Sequence, residues 1–298
     1  MPLHTLLDQR AVLTVAGEDR QRFLQGLISN DVMRVAPDRA IYAALLTPQG
    51  KFLHEMLVAA AGEVLWLDTE RARRADLLRR LGMYRLRAKV TLGDAGDDVA
   101  VTAVFGPGAA GAFGLAETPG AAVAVGNGVA LVDPRHAGLG VRLILPAAEM
   151  AGTLVELGIA AAPEGDYERL RLACGVPDGS RDIEVERGVL LEYGFEGLNG
   201  VDFNKGCYIG QELTARTKYR GLVKRRLARV SLNGPAPGAG TPIMLGDREA
   251  GELRTSLDGS GLALLRLDKL EEAATQGGVL LAGDTRVTPV DFNPGAAK

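Results

Sequence analysis

The feature that most limits the fold is a change of texture at residue 223. After Val223 the chain breaks into short apolar runs separated by glycine and proline, including Asn233-Gly-Pro-Ala-Pro-Gly-Ala-Gly-Thr-Pro242. Proline gives no amide proton to a ladder and glycine supplies positive φ, so such clusters end strands and build turns. Short strands at close spacing form a small barrel or sandwich. Residues 223–298 are therefore expected to be a C-terminal β-barrel domain.

Upstream the texture is mixed. Residues 11–15 read as a strand, and 17–28 as a helix with Phe23, Leu24, Leu27 and Ile28 on one stripe. Strand-like runs at 41–46 and 52–59 flank the turn Thr47-Pro-Gln-Gly50. A strand at 63–67 leads to a helix capped by Asp68 or Thr69 and stopped by Gly82. Residues 85–92, 98–105 and 121–132 are strand-like, so the block 51–131 reads as a small α+β unit. A strand at 141–145 and helices at 147–157 and 166–174 follow. The stretch 175–205 is irregular and too long for an ordinary connector, which predicts a functional loop. No repeat of 20–50 residues is present.

Composition excludes several classes. The 298 residues carry 34 basic and 37 acidic side chains, a net charge of -3, which does not suit a general nucleic-acid binder. The cysteines Cys174 and Cys207 make no disulfide framework, and His4, His54 and His136 have no zinc-ligand spacing. An iron–sulfur cluster takes four thiolates by the usual pattern, more than this chain owns. The N-terminus lacks a signal or transit composition, and no apolar run approaches the ~18–20 residues of a membrane span. A soluble protein of the reducing cytoplasm, without a membrane partner, is expected.

The densest chemistry lies between Phe203 and Arg216. Lys205, Cys207, Gln211, Glu212 and Arg216 supply a cation, a thiol, an amide, a carboxylate and a second cation, with Gly206 and Gly210 flanking the thiol. Glycines there allow turn geometry and close approach to a ligand. A helix from Gln211 puts Glu212 and Arg216 four apart on one face. Cys207, beside Lys205 and near a helix N-terminus, can have a lowered pKa. Taken alone, the segment fits a turn and a surface helix with one ion pair equally well. Asn30-Asp31 can cap locally or touch a ligand. Arg71, Arg73, Arg74, Arg79 and Arg80 read as a solvated face or an RNA contact, and His54 and His136 as structural residues.

Lys205-Gly-Cys-Tyr-Ile-Gly-Gln-Glu212 resembles the signature octapeptide of the YgfZ family, which includes mitochondrial iron–sulfur assembly factors. Arg216, Gly221 and Lys224-Arg-Arg226 extend the likeness. So do Phe23-Leu-Gln-Gly-Leu-Ile-Ser-Asn-Asp31, Leu45-Leu-Thr-Pro-Gln-Gly-Lys51, Tyr167-Glu-Arg-Leu-Arg-Leu-Ala-Cys-Gly-Val-Pro177 and Gly261-Leu-Ala-Leu-Leu-Arg266. Pro177-Asp-Gly-Ser-Arg-Asp182 looks closest to the mitochondrial branch.

The resemblance implies an α+β, three-domain ring like the T-protein of the glycine cleavage system. A discontinuous folate-binding domain would take 1–50 and 132–222, a ferredoxin-like α+β insertion 51–131, and the barrel 223–298. It implies tetrahydrofolate as cofactor, contacted by Tyr167, Arg10, Asn30, Asp31, Gly206, Tyr208, Gly210, Gln211, Glu212 and Arg216. Cys207 would be the reactive thiol, kept ionised by Lys205, and a candidate ligand of a cluster shared with a carrier or client protein; no resident metal is implied. Two positions depart from the family pattern. Ala173 stands where the transferase branch has a carboxylate, and Arg10 where YgfZ relatives have an aromatic. The implied function is a tetrahydrofolate-binding accessory factor for iron–sulfur proteins, non-catalytic, acting indirectly on tRNA modification. The alternative is a folate-dependent one-carbon or aminomethyl transferase.

Overall fold

Two buried faces on one sheet explain the apolar runs of the N-terminal half. In the computed structural model, which describes residues 1–290, β1 (Leu3–Leu6) and β2 (Arg10–Ala16) follow each other but enter different sheets. Next come α1 (Arg20–Gln25), β3 (Ile41–Leu46), β4 (Phe52–Ala61), β5 (Val64–Glu70), α2 (Arg74–Tyr84) and β6 (Thr91–Asp94). These strands form a five-stranded sheet in the order β3-β4-β5-β2-β6, antiparallel throughout. On one face Leu13, Val15, Ile41 and Val58 pack beneath Phe23 and Leu24 of α1 and Leu77 and Leu81 of α2. The other face is also covered, so β3 is buried along its whole length.

That second face meets another sheet. β7 (Val99–Phe105), β8 (Ala122–Val125), β9 (Gly128–Val132), β10 (Val141–Pro146) and β11 (Ala160–Ala161) join β1 in the order β11-β1-β7-β10-β9-β8. Val101, Phe105, Leu131 and Ile144 share a core with Val12, Tyr42 and Leu57. α3 (Ala147–Glu156) closes the outer side with Met150 and Leu154. Each fully buried side chain of this kind is worth roughly 1.5–3 kcal/mol.

After α4 (Asp166–Ala173) and the short α5 (Gly179–Asp182), the chain reaches α6 (Gln211–Tyr219) without a strand. This stretch is nonetheless core: Ile183, Leu190, Tyr193 and Phe195 are buried, and Phe195 stacks on Tyr42 with ring centroids 4.9 Å apart. Buried backbone needs partners, and it finds them at the start of β4, where Phe52 N–H donates to Gly188 O and Glu186 N–H to Phe52 O.

The C-terminal part is a closed barrel. β12 (Arg225–Asn233), β13 (Pro242–Leu245), β14 (Arg248–Leu257), β15 (Ser260–Arg266), β16 (Leu280–Ala282) and β17 (Thr285–Pro289) run in the order β12-β15-β14-β13-β16-β17. α7 (Leu267–Gln276) packs Leu270 onto it. Closure removes the exposed edges that six short strands would otherwise present.

The sheets divide the chain differently from the expected insertion at 51–131. β4 and β5 pair with β2 and β3, while β7, β8 and β9 join β1 and β10. The split sheet is built from 3–6 and 99–161, and the other from 10–94. Pairing between distant strands leaves no local trace. Two smaller corrections follow. Asp68 and Thr69 do not cap α2; they lie in β5, with Asp68 in an ion pair and Thr69 Oγ1 donating to Glu55 O. Residues 85–90 form no strand, with a turn at 86–87, and pairing starts at Thr91.

Candidate functional site

The octapeptide forms a loop fastened to the end of α1. Lys205 Nζ donates to the carbonyls of Gln25 and Ile28 at 2.7 and 2.5 Å, taking up acceptors that a helix end leaves unpaired. Gln25 works from the other side. Its Nε2 donates to Lys205 O at 3.1 Å and to Asp31 Oδ1 at 2.9 Å, and its Oε1 accepts from Val32 N–H. Ile209 N–H adds a bond to Gly26 O. Burial lowers the Lys205 pKa to about 8, against the opposing pull of Asp31 and Asp202. The lysine is thus committed to holding the loop.

Between these anchors Gly206 and Cys207 are exposed. Tyr208 is buried, its ring 5.0 Å below Lys205 Nζ, and its N–H donates to Gln211 Oε1 at 3.1 Å. Gly210, at φ +79°, fits against the turn after β3; a Cβ there would lie 2.3 Å from Thr47 O. Glu212 and Arg216 are both exposed, and their side chains make no pair with each other among the described residues. Asn30 and Asp31 act locally. Asn30 Nδ2 donates to Tyr42 O and Asn199 O at 2.7 Å each, and Asp31 Oδ1 accepts from Met33 N–H.

Arg10 and Tyr167 belong to a different cluster, one not foreseen from the sequence. Between the two sheets lie Arg10, Arg135 and Arg142 with Glu55, Asp68 and Asp133, none more than 4% exposed. Arg10 bonds Glu55 and sits 2.6 Å from Asp68. Arg142 reaches Asp68 at 3.2 Å and Asp133 at 3.1 Å, and Arg135 reaches Asp133 at 2.7 Å. Burial favours the neutral acid, but Arg135 and Arg142 outweigh it and hold Asp133 well below the usual carboxylate range. Tyr167 packs its ring on Phe105, centroids 5.4 Å apart, with its hydroxyl 3.4 Å from Arg142. The signal was present as lone acids inside apolar strands, Glu55 in Phe-Leu-His-Glu-Met-Leu and Asp68 in Val-Leu-Trp-Leu-Asp.

Beside Tyr167 a cleft of about 600 Å³ opens, walled by Leu6, Leu7 and Ala72 and bordered by Asp178, Arg71 and Arg181. Asp178 Oδ2 accepts from Arg181 at 3.2 Å. Its carboxyl is held low: burial opposes ionisation, but Arg171 and Arg10 outweigh it. Ala173 offers no carboxylate, and its carbonyl accepts from Arg229. Thus the structure groups Lys205, Cys207, Tyr208, Gly210 and Gln211 with Asn30 and Asp31, and separately Arg10 with Tyr167.

The basic run at 71–80, the turn before α2 and the first half of α2 itself, is largely neutralised. Arg71 pairs with Asp97, Arg74 with Asp94, and Arg79 and Arg80 with Asp76. That leaves little free charge for RNA. His54, buried against Asp76 at 2.9 Å, is structural; burial and Arg73 lower its pKa to about 4 against the pull of Asp76.

These features define a protein with the fold of the glycine cleavage aminomethyltransferase. The crystal structure of aminomethyltransferase T from Bartonella henselae superposes with a TM-score of 0.78 over 98% of this chain and 86% of that one, at 15% identity. Residues 7–115 match the GCVT N-terminal domain family, and 224–292 the C-terminal beta-barrel domain of CAF17. The Homo sapiens mitochondrial iron-sulfur cluster assembly factor IBA57 is 34% identical over 289 residues, 89% of this chain and 78% of that protein. Its Mus musculus counterpart is 33% identical over 98% of this chain and 86% of its own length. The chain belongs to this family of YgfZ-like iron–sulfur cluster assembly factors. The expected cytoplasmic location is corrected by the same relatives, which are mitochondrial proteins.

Proposed function

We propose that this protein assists the assembly or repair of iron–sulfur proteins by lending the Cys207 thiolate to a cluster shared with a carrier. The observation that carries the reading is the exposure of Cys207 on a loop pinned on one side by Lys205 to Gln25 at the end of α1 and on the other by Ile209 to Gly26 just after it. A thiol held at the surface by fixed anchors can meet iron without the loop being reordered first. Among the described residues no group of three or more His, Cys, Asp or Glu side chains is placed to hold a metal ion, so the other ligands come from the partner. Cluster-dependent enzymes that modify tRNA would feel its loss indirectly. The test is anaerobic mixing with a purified [2Fe–2S] carrier, read by visible circular dichroism. Cys207→Ser should abolish the new spectrum and Cys174→Ser should keep it; an unchanged spectrum with Cys207→Ser sinks the reading.

A second component is favoured by the cleft beside Tyr167, where the lining fits tetrahydrofolate. Asp178 has one oxygen without a hydrogen-bond partner among the described residues, suited to the adjacent N–H donors of a pterin. Leu6, Leu7 and Ala72 suit its aromatic middle, and Arg71 and Arg181 its glutamate tail. The group, when bound, supplies a reduced pterin. Arg10 makes no contact with the ligand, because its guanidinium is engaged with Glu55 and Asp68, and it acts only by helping to hold Asp178 ionised. Aminomethyl transfer is not included, since Ala173 lacks the carboxylate. Anaerobic calorimetry with tetrahydrofolate on the wild type, Asp178→Asn and Arg181→Ala decides it. Binding weakened in both variants supports the site, and no binding at millimolar ligand removes folate from the account.

A further inference from the structure

Most arginines on the folded surface have an acidic neighbour, as the run at 71–80 shows. The segment from α6 into β12 departs from this in part. Lys218 pairs with Glu196 and Arg225 with Glu192. By contrast, Arg216, Arg220, Lys224 and Arg226 are exposed, and none makes an ion pair or side-chain hydrogen bond among the described residues. They frame two exposed apolar side chains, Tyr219 at 74% and Leu222 at 46%. Thr214 and Thr217 turn inward, so Arg216, Tyr219 and Arg220 occupy the outward face of α6. At the far end a cleft of about 730 Å³ is lined by Val223, Lys224 and Leu267, by the ion pairs Arg225–Glu192 and Arg266–Asp268, and by Glu271. At the near end the same segment carries Cys207, four residues before α6.

From these observations we infer that the outward face of α6 and the loop into β12 form a docking surface for an acidic protein partner, the one that completes the cluster at Cys207. The inference rests on the reading of Cys207 given above and adds how the partner is recognised. Four cations without a partner among the described residues, on a chain of net charge -3, make a local positive field within a negative whole. Such a field draws an acidic surface in and orients it. Tyr219, large and two-torsioned, is the natural anchor, because a buried aromatic carries much of an interface's affinity. Leu222 and the apolar lip at Val223 and Leu267 suit protein rather than RNA. Tyr219 has Phe203 beside it, edge-on with centroids 6.3 Å apart, so the two rings offer no parallel faces on which successive bases would stack.

The experiment is calorimetry with a purified acidic [2Fe–2S] carrier, anaerobically, at 50 and 300 mM salt. The double variant Arg216→Glu/Arg220→Glu should weaken association about tenfold or more at low salt, and Tyr219→Ala should weaken it at both salts. Arg85→Glu/Arg87→Glu, with the same charge change on exposed residues after α2, should bind as the wild type does. If the α6 double variant matches that control while wild-type protein still shares the cluster, the docking surface is wrong and the Cys207 reading stands. If neither wild type nor Cys207→Ser acquires a shared cluster, the Cys207 reading falls and this inference with it. Salt-sensitive binding of a single-stranded RNA oligonucleotide, lost in the α6 double variant, would overturn the protein partner in favour of RNA.

Discussion

The Arg142 guanidinium bridges Asp68 of β5 and Asp133 after β9, at 3.2 and 3.1 Å, and so ties one sheet to the other through charge. Removing one member strands the others in a dry interior. Asp68→Ala leaves Arg10 and Arg142 without a shared carboxylate and should cost about 3–5 kcal/mol. Urea unfolding measures it. A loss below about 1 kcal/mol would mean that water reaches the cluster and that it is not the bolt described above.

His54 gives the acid limb of the stability curve a definite sign. Its folded pKa is about 4, lowered from 6.5 by burial and Arg73 against Asp76. Between those values the unfolded chain binds the extra proton, so stability falls as pH drops from 6.5 towards 4, by at most about 1.4 kcal/mol per unit. His54→Leu should flatten this part of the curve. Parallel wild-type and variant curves would contradict the assignment.

Gly50 and Gly210 face each other at positive φ, and a Cβ on either would meet the other's turn at under 3 Å. Gly210→Ala should destabilise by roughly 1–3 kcal/mol and loosen the octapeptide, through backbone strain and the clash with Thr47. Hydrogen exchange across 204–210 reads both effects. Unaltered exchange would separate the loop's order from this contact.

The two thiols should differ in rate. Cys207 is exposed, whereas Cys174 is half-buried and burial pushes its thiol up, against Arg229. A disulfide reagent at pH 8 should show a fast phase that Cys207→Ser deletes and Cys174→Ser leaves. A single slow phase in the wild type would mean that the loop is closed over Cys207.

Local patterns carried much of this molecule. The barrel was legible from glycine and proline after Val223, and β3 and β10 from their apolar runs, because each is a property of neighbours in sequence. The candidate site stood out in the sequence where a specific octapeptide marked it. Gln25 was not, since an amide on a helix stripe looks like any solvated residue until Lys205 and Asp31 arrive from elsewhere. Nor were the ion cluster and the division between sheets, which depend on contacts such as Glu55 with Arg10 and Leu3 with Ala160. The unpaired state of Arg216 and Arg220, against the paired state of Arg79 and Arg80, was equally invisible, although both runs look alike as text.

The position of β1 has a consequence for synthesis. Its partners are β7 and β11, so Leu3–Leu6 leaves the ribosome with nothing to pair with until residues 99–105 have followed. At ~5–20 residues per second that interval is roughly 5–20 s, and the second partner arrives later still. During this time the sheet of β2 to β6 can form completely while β1 stays solvent-borne. The nascent chain therefore passes through a half-built stage in which one strand is unclaimed. It is then, rather than in the finished protein, that Leu3–Leu6 is most open to a chaperone or a protease.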